Sequence, residues 1–426
     1  MFALGAGFVL AVLLPLTAAG HLDWAARYPA MVQAHGAVQL QGFAGLFVAG
    51  MGLRLVPRFA GARPAGPVLA RTILAALTAG LTLRLAVLLW PNIAVADPAG
   101  ATAAVASSAG MALFGASLAH TLVGATRKQR EPWYGLVLLG AGWWVVWAAL
   151  SLVAALRSLE TDFVVPPEID RAVTWAALLG AISNFTWAVQ SRSVPVFFGR
   201  RPPTTRRVLV PALLLNAGAA GLVLAAGFEG TGATRIEATG FVLAAAGLLS
   251  LPLLTGAVAG RPHRLRPRSQ FAARFVVSAN RWALIAGLLL TLRGLHGLTD
   301  GAFGLATAGD AARHAIGVGF LTNLIVGMAL LLAPIFALER TEARGPGRGL
   351  WFALLALQVA ATLRVFGAVA GQYPDLPWRQ EAIAAAGILA WLAVAAFALA
   401  LIHARRSEPR LRRLIAMAAR GGDQPG

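Results

Sequence analysis

Long apolar runs recur about every 35 residues from one end of this 426-residue chain to the other, and they limit what it can become. In lipid, a run of about 20 apolar residues satisfies its backbone polar groups only by coiling into a helix. The sequence therefore predicts an all-α polytopic membrane bundle. We place twelve transmembrane spans at 2–20, 33–57, 68–90, 101–125, 134–157, 171–195, 207–228, 236–259, 272–294, 311–335, 349–370 and 380–403. Charged residues are only 12% of the chain, against about 25% in soluble domains. One integral membrane domain over 1–426 follows, with a basic tail at 406–426. The opening MFALGAGFVLAVLLPLTAAG has the apolar core of a secretory leader but no basic n-region. We read it as the first span, because the repeat described next needs it.

The stretch GMGLRLVPRFA (Gly50 to Ala60) returns as GMALLLAPIFA (Gly327 to Ala337). Pro57, Pro195 and Pro334, each followed two residues later by Phe, are 138 and 139 residues apart. Asn184 and Asn323 both lie eleven residues before their prolines, and Thr82-Leu83-Arg84 matches Thr362-Leu363-Arg364. The chain thus divides into three four-span units, about 1–130, 131–270 and 271–405. An even number of spans gives every unit the same orientation. The units are parallel and pseudo-symmetric about an axis along the membrane normal. The Pro-x-Phe sequences are expected to end and anchor their helices.

The net charge is +19. In a soluble protein that would point to nucleic acid. Here the arginines crowd the loops after even-numbered spans, as with Arg58, Arg63 and Arg71 after span 2 and Arg200, Arg201, Arg206 and Arg207 after span 6. That pattern is membrane topology, so no nucleic-acid partner is expected, and both termini fall in the cytoplasm. The chain has no Cys. This removes disulfides, thiolate metal sites and covalent c-type haem attachment.

Seven histidines remain. His120, His263 and His403 fall at the arginine-rich face. His35 opens span 2 and His314 opens span 10, 22 and 20 residues before their repeat prolines, so they share one depth near the other face. His21 and His296 end spans 1 and 9 at matching places and are candidates for an outer metal site. The span-6 copy has no His around Val173 to Trp175. Neutral imidazoles at one height on two helices can ligate a haem iron. They can equally bond to water or loop carbonyls, and the spacing leaves both readings open. Arg84 and Arg364 lie at a similar depth, as partners for haem propionates or as side chains reaching for headgroups. All seventeen acidic residues fall in loops or at span ends. Proton pumps keep ionisable groups deeper in the membrane, so a proton-pumping oxidase is not expected.

The segments HGAVQLQGFAGLFVAGMGLRLVPRF (His35 to Phe59), SRSVPVFFGRRP (Ser191 to Pro202) and RHAIGVGFLTNLIVGMALLLAP (Arg313 to Pro334) resemble the NnrS family. The layout as a whole is similar to the haem-copper oxidase subunit I superfamily. The resemblance implies a bacterial inner-membrane protein binding haem b through His35 and His314, with Arg84 and Arg364 on the propionates. It further implies a link to nitric oxide response or membrane electron transfer, with nitric oxide or a redox protein as partner besides the lipid bilayer. The sequence departs from the family's His-x-His-Glu at the start of span 2, reading His35-Gly36-Ala37-Val38. Spans 6 and 7 have no His, so an oxidase-type copper site is not expected. A cofactor-free transporter or channel and an assembly factor are the alternative functions.

Overall fold

The computed structural model describes residues 2–92, 94–125, 131–159, 161–258, 267–337, 347–373 and 376–421, with the backbone alone at 267–269, 333–337 and 403–421. Among these residues there is no strand, and twelve long helices follow one another. They are α1 (Ala3–Ala18), α2 (Ala25–Ala60), α3 (Pro67–Leu89), α4 (Ala96–Val123), α5 (Pro132–Ser158) and α6 (Pro167–Phe197). The second half comprises α7 (Thr205–Gly227), α8 (Gly230–Thr255), α9 (Gln270–Leu298), α10 (Ala308–Leu332), α11 (Arg348–Gln372) and α12 (Arg379–Ile402). All but α1 are long and apolar enough to cross a membrane. The predicted spans 2 to 12 each coincide with one of them. The basic loop segments 126–130, 259–266 and 338–346, with His263, lie outside the described residues.

Consecutive helices pack side by side, and α1 closes the ring against α12. Gly387 of α12 lets the backbone of Ala11 come close, and the Trp391 indole donates to the Leu4 carbonyl at 3.0 Å. Helices α6 and α10 are the most enclosed, with 89% and 78% of their apolar windows buried. With α2 they meet at the centre of the bundle. Large apolar side chains such as Val105, Leu156, Leu213, Phe366 and Leu399 are exposed on the outside, where lipid tails take the place of a core.

The three central helices share a local distortion. Each contains a π-helical segment, Val38–Gly45 in α2, Ala176–Ile182 in α6 and Ala315–Thr322 in α10. These begin 138 and 139 residues apart, the same intervals that separate Pro57, Pro195 and Pro334. Two polar locks recur at the same interval. In one, Asn184 of α6 and Asn216 of α7 exchange amide hydrogen bonds at 3.0 Å, and Trp143 Nε1 of α5 donates to Asn216 Oδ1 at 2.7 Å. In the other, Gln358 of α11 donates to Asn323 of α10 and accepts from Trp282 Nε1 of α9, both at 2.9 Å. Gly180 and Gly319 leave the space that the two indoles fill.

The prolines do not end their helices. Pro57 lies inside the last turns of α2, and the stop comes at Gly61, whose φ of 64° and amide bond to the Pro57 carbonyl form a left-handed cap. Phe59 does anchor the foot. Its ring packs edge-on against Trp133, and the Arg192 guanidinium lies 4.7 Å above it.

Candidate functional site

Three helices begin earlier than their apolar runs. Helix α2 is helical from Ala25, α6 from Pro167 and α10 from Ala308, because prolines and polar residues make acceptable first turns. His35 and His314 therefore lie inside their helices. His314 is six residues past the start of α10, about 9 Å along the axis. Both histidines sit just before a π segment, a distortion often found at functional sites.

His35 and His314 line one cavity of about 510 Å³, within the usual range for small-molecule sites of roughly 300–1,000 Å³. Arg84 and Arg364 line the same cavity, as do Asp170, Asp310 and Arg313. The rest of the wall is largely apolar, with Phe8, Leu14, Phe43, Trp147 and Leu178 among it. The four residues singled out from the sequence are thus brought together.

Each imidazole is fixed through Nδ1. His35 Nδ1 donates to the Gly7 carbonyl of α1 at 2.8 Å, and His314 Nδ1 donates to the Asp310 carbonyl at 2.9 Å. A carbonyl only accepts, so Nδ1 carries the proton and Nε2 presents a lone pair. Among the described residues neither Nε2 has a hydrogen-bond partner. This is how metal-ligating histidines are ordinarily held, one nitrogen on a carbonyl and the other available.

The charged residues form an alternating series. Arg364 Nη2 pairs with Asp310 Oδ2 at 2.9 Å, and Arg313 Nη2 pairs with Asp310 Oδ1 at 3.3 Å. Asp170 feels both Arg313 and Arg84 electrostatically, with neither in direct ion-pair contact. Three arginines alternate with two carboxylates here, and Arg379 adds a fourth cation to the cavity lining, so the site carries a net positive charge. Arg364 Nη1 is buried without a partner, and Arg84 makes no hydrogen bond or ion pair among the described residues.

Asp170 and Asp310 were missed as site residues. Read as loop or span-end acids, they stand inside the first turns of α6 and α10. Their 140-residue separation, close to the repeat interval, was the available signal. Arg364, read as a propionate partner or a side chain reaching for headgroups, has one terminal nitrogen engaged by Asp310.

His21 and His296 are not joined. His21 Nε2 approaches Glu381 at 3.3 Å on an exposed edge, and His296 packs against the turn at Gly301 and Gly304. Among the described residues no cluster of three or more His, Asp or Glu has the arrangement of a metal site. His120 lies in the last turn of α4, and the His403 side chain lies outside the described set.

Fold and site together define a polytopic helical membrane protein with two anchored histidines and a positively charged rim in one internal cavity. A family model described as NnrS protein matches residues 1–408. The chain belongs to the NnrS family. No curated protein sequence matches it.

Proposed function

We propose that this chain is an integral inner-membrane protein that binds haem b in the cavity between α2 and α10. His35 and His314 would hold its iron, and Arg84 and Arg364 would meet its carboxylates. The observation that carries the reading is the matched anchoring of the two imidazoles, each with Nδ1 on a carbonyl and Nε2 open to one cavity. The donor set fits the group. The cavity is large and mostly apolar, and Arg84 and the orphaned Arg364 Nη1 supply charge for carboxylates.

A haem held there would supply one-electron chemistry, and ligation by both histidines would favour electron transfer or sensing over turnover. The protein's own part is orientation and charge. The Gly7 and Asp310 carbonyls fix the ring planes. The NnrS resemblance supports a role in nitric oxide response or membrane electron transfer. The arginine-rich loops support cytoplasmic placement of both termini.

The test is spectroscopic. Protein purified in detergent from a haem-replete host should show a Soret band and a b-type pyridine haemochrome. His35→Ala and His314→Ala should each abolish or greatly shift that band, while His21→Ala and His296→Ala should not. A colourless folded protein, or an unchanged band in both cavity variants, refutes the reading.

A further inference from the structure

Glycine weakens a helix, because it gives up more backbone freedom on folding than any other residue. In a membrane bundle its common use is to let two helices touch. Several glycines here do so. An added Cβ at Gly387 of α12 would stand 2.9 Å from the Ala11 carbonyl oxygen, and at Gly180 or Gly319 it would meet the Trp143 or Trp282 ring. Others face lipid: Gly50, Gly135 and Gly142 are exposed, and an added Cβ at each meets nothing within 4 Å. Gly36 of α2 and Gly317 of α10 belong to neither group. Both are half-buried and both line the histidine cavity. At each, an added Cβ again meets nothing within 4 Å. No neighbouring helix requires a glycine at either place, and the bare backbone faces the inside of the cavity.

The internal repeat shows what these places otherwise carry. Counted from the starts of the three π segments, the Gly317 position is Leu40 in α2 and Leu178 in α6. The Gly36 position is Thr174 in α6 and Arg313 in α10. All six residues line the same cavity. Each histidine-bearing helix thus has one glycine where its repeats present a side chain, and α6, which has no histidine, has none at either position. Gly36 directly follows His35, and Gly317 lies three residues past His314. The cavity carries its own sign of a ligand in the Arg364 Nη1 that is buried without a partner.

We propose that Gly36 and Gly317 are backbone seats for a planar macrocycle, one beside each histidine. The inference rests on the haem reading above and adds to it the part of the site that recognises the ring and not the iron. Without a Cβ, a flat ligand can approach the helix more closely and gains dispersion contacts along the backbone. A side chain restored at either place takes up room that the ring needs. It does so without altering His35, His314 or the arginines.

The test separates ring from iron. Full-length protein from a haem-deficient host is titrated in detergent with haem and with iron-free protoporphyrin IX, at one detergent concentration throughout. Gly36→Leu and Gly317→Leu should each weaken both rings by about tenfold. Gly36→Ala and Gly317→Ala should weaken both by less. His35→Ala should weaken haem far more than the iron-free ring, and Gly50→Leu, on the lipid side, should leave both unchanged. The thermal midpoint without any ring should hold or rise in the four cavity glycine variants, because the new side chain has room and a helix gains by losing glycine. A lowered midpoint in all four makes these packing positions and overturns the proposal. Unchanged affinity for both rings in all four, or a loss confined to haem, overturns the seats and leaves the haem reading standing. A wild type that binds neither ring overturns both.

Discussion

Arg364 gives one guanidinium nitrogen to Asp310 at 2.9 Å and holds the other, Nη1, buried with no partner. The pair joins α10 to α11 at the cavity rim, and Asp310 also supplies the carbonyl that fixes His314. Removing Asp310 strands Arg364, whereas Asp310 without Arg364 keeps Arg313 at 3.3 Å. With the Asp310 side chain 39% exposed, the cost is well below that of a fully buried pair, about 1–2 kcal/mol. We predict that Asp310→Asn and Arg364→Gln each lower the thermal midpoint, and that the double variant loses less than their sum. Additive losses in a double-mutant cycle would show that the pair is not coupled.

Arg84 presents the opposite balance. A cation held inside the bundle with no ion pair is costly. Arg84→Leu should therefore stabilise the haem-free protein by about 1 kcal/mol while weakening haem retention. Thermal unfolding without haem and haem titration by absorbance measure the two effects separately. A variant that is less stable without haem, or that keeps haem as tightly, contradicts the assignment of Arg84 to the cofactor's carboxylates.

Gly180 and Gly319 each lie under an indole, Trp143 and Trp282. Alanine at either site forces that ring to move, at about 1–3 kcal/mol. Gly50, with nothing within 4 Å of an added Cβ, is the control. Differential scanning of the three Gly→Ala variants should give a clear loss at 180 and 319 and none at 50. Trp143→Phe should recover part of the loss at 180.

Asn184 and Asn216 satisfy each other. Asn184→Leu leaves the Asn216 amide short of a partner, at about 1–3 kcal/mol, whereas replacing both by Leu should cost less than the single change. Chemical or thermal unfolding in detergent decides. A double variant worse than the single would mean that Trp143, whose Nε1 also relies on Asn216, dominates the junction.

Spans and the repeat interval were legible because each rests on a local pattern. Apolar runs reported helices, and the prolines at 57, 195 and 334 reported the period. The starts of α2, α6 and α10 were not legible, because their first turns contain Tyr28, Pro167, Asp170 and Asp310, which read as loop chemistry. That reading put His35 and His314 at the openings of their helices and set Asp170 and Asp310 outside the site. The π segments have no sequence signature of their own. The hydrogen bond from the Gln33 side chain to the Val165 carbonyl joins residues 132 apart, and nothing in either segment announces the other.

Helix α1 is short. Sixteen residues from Ala3 to Ala18 rise about 24 Å, against a hydrocarbon layer of about 30 Å. Where a helix of this length meets lipid, local thinning or a shift toward one leaflet makes up the difference. Either response loads α1 along the membrane normal, and α1 supplies the Gly7 carbonyl that fixes His35. The orientation of one imidazole is thus set by a separate helix, and whatever shifts α1 acts on the site.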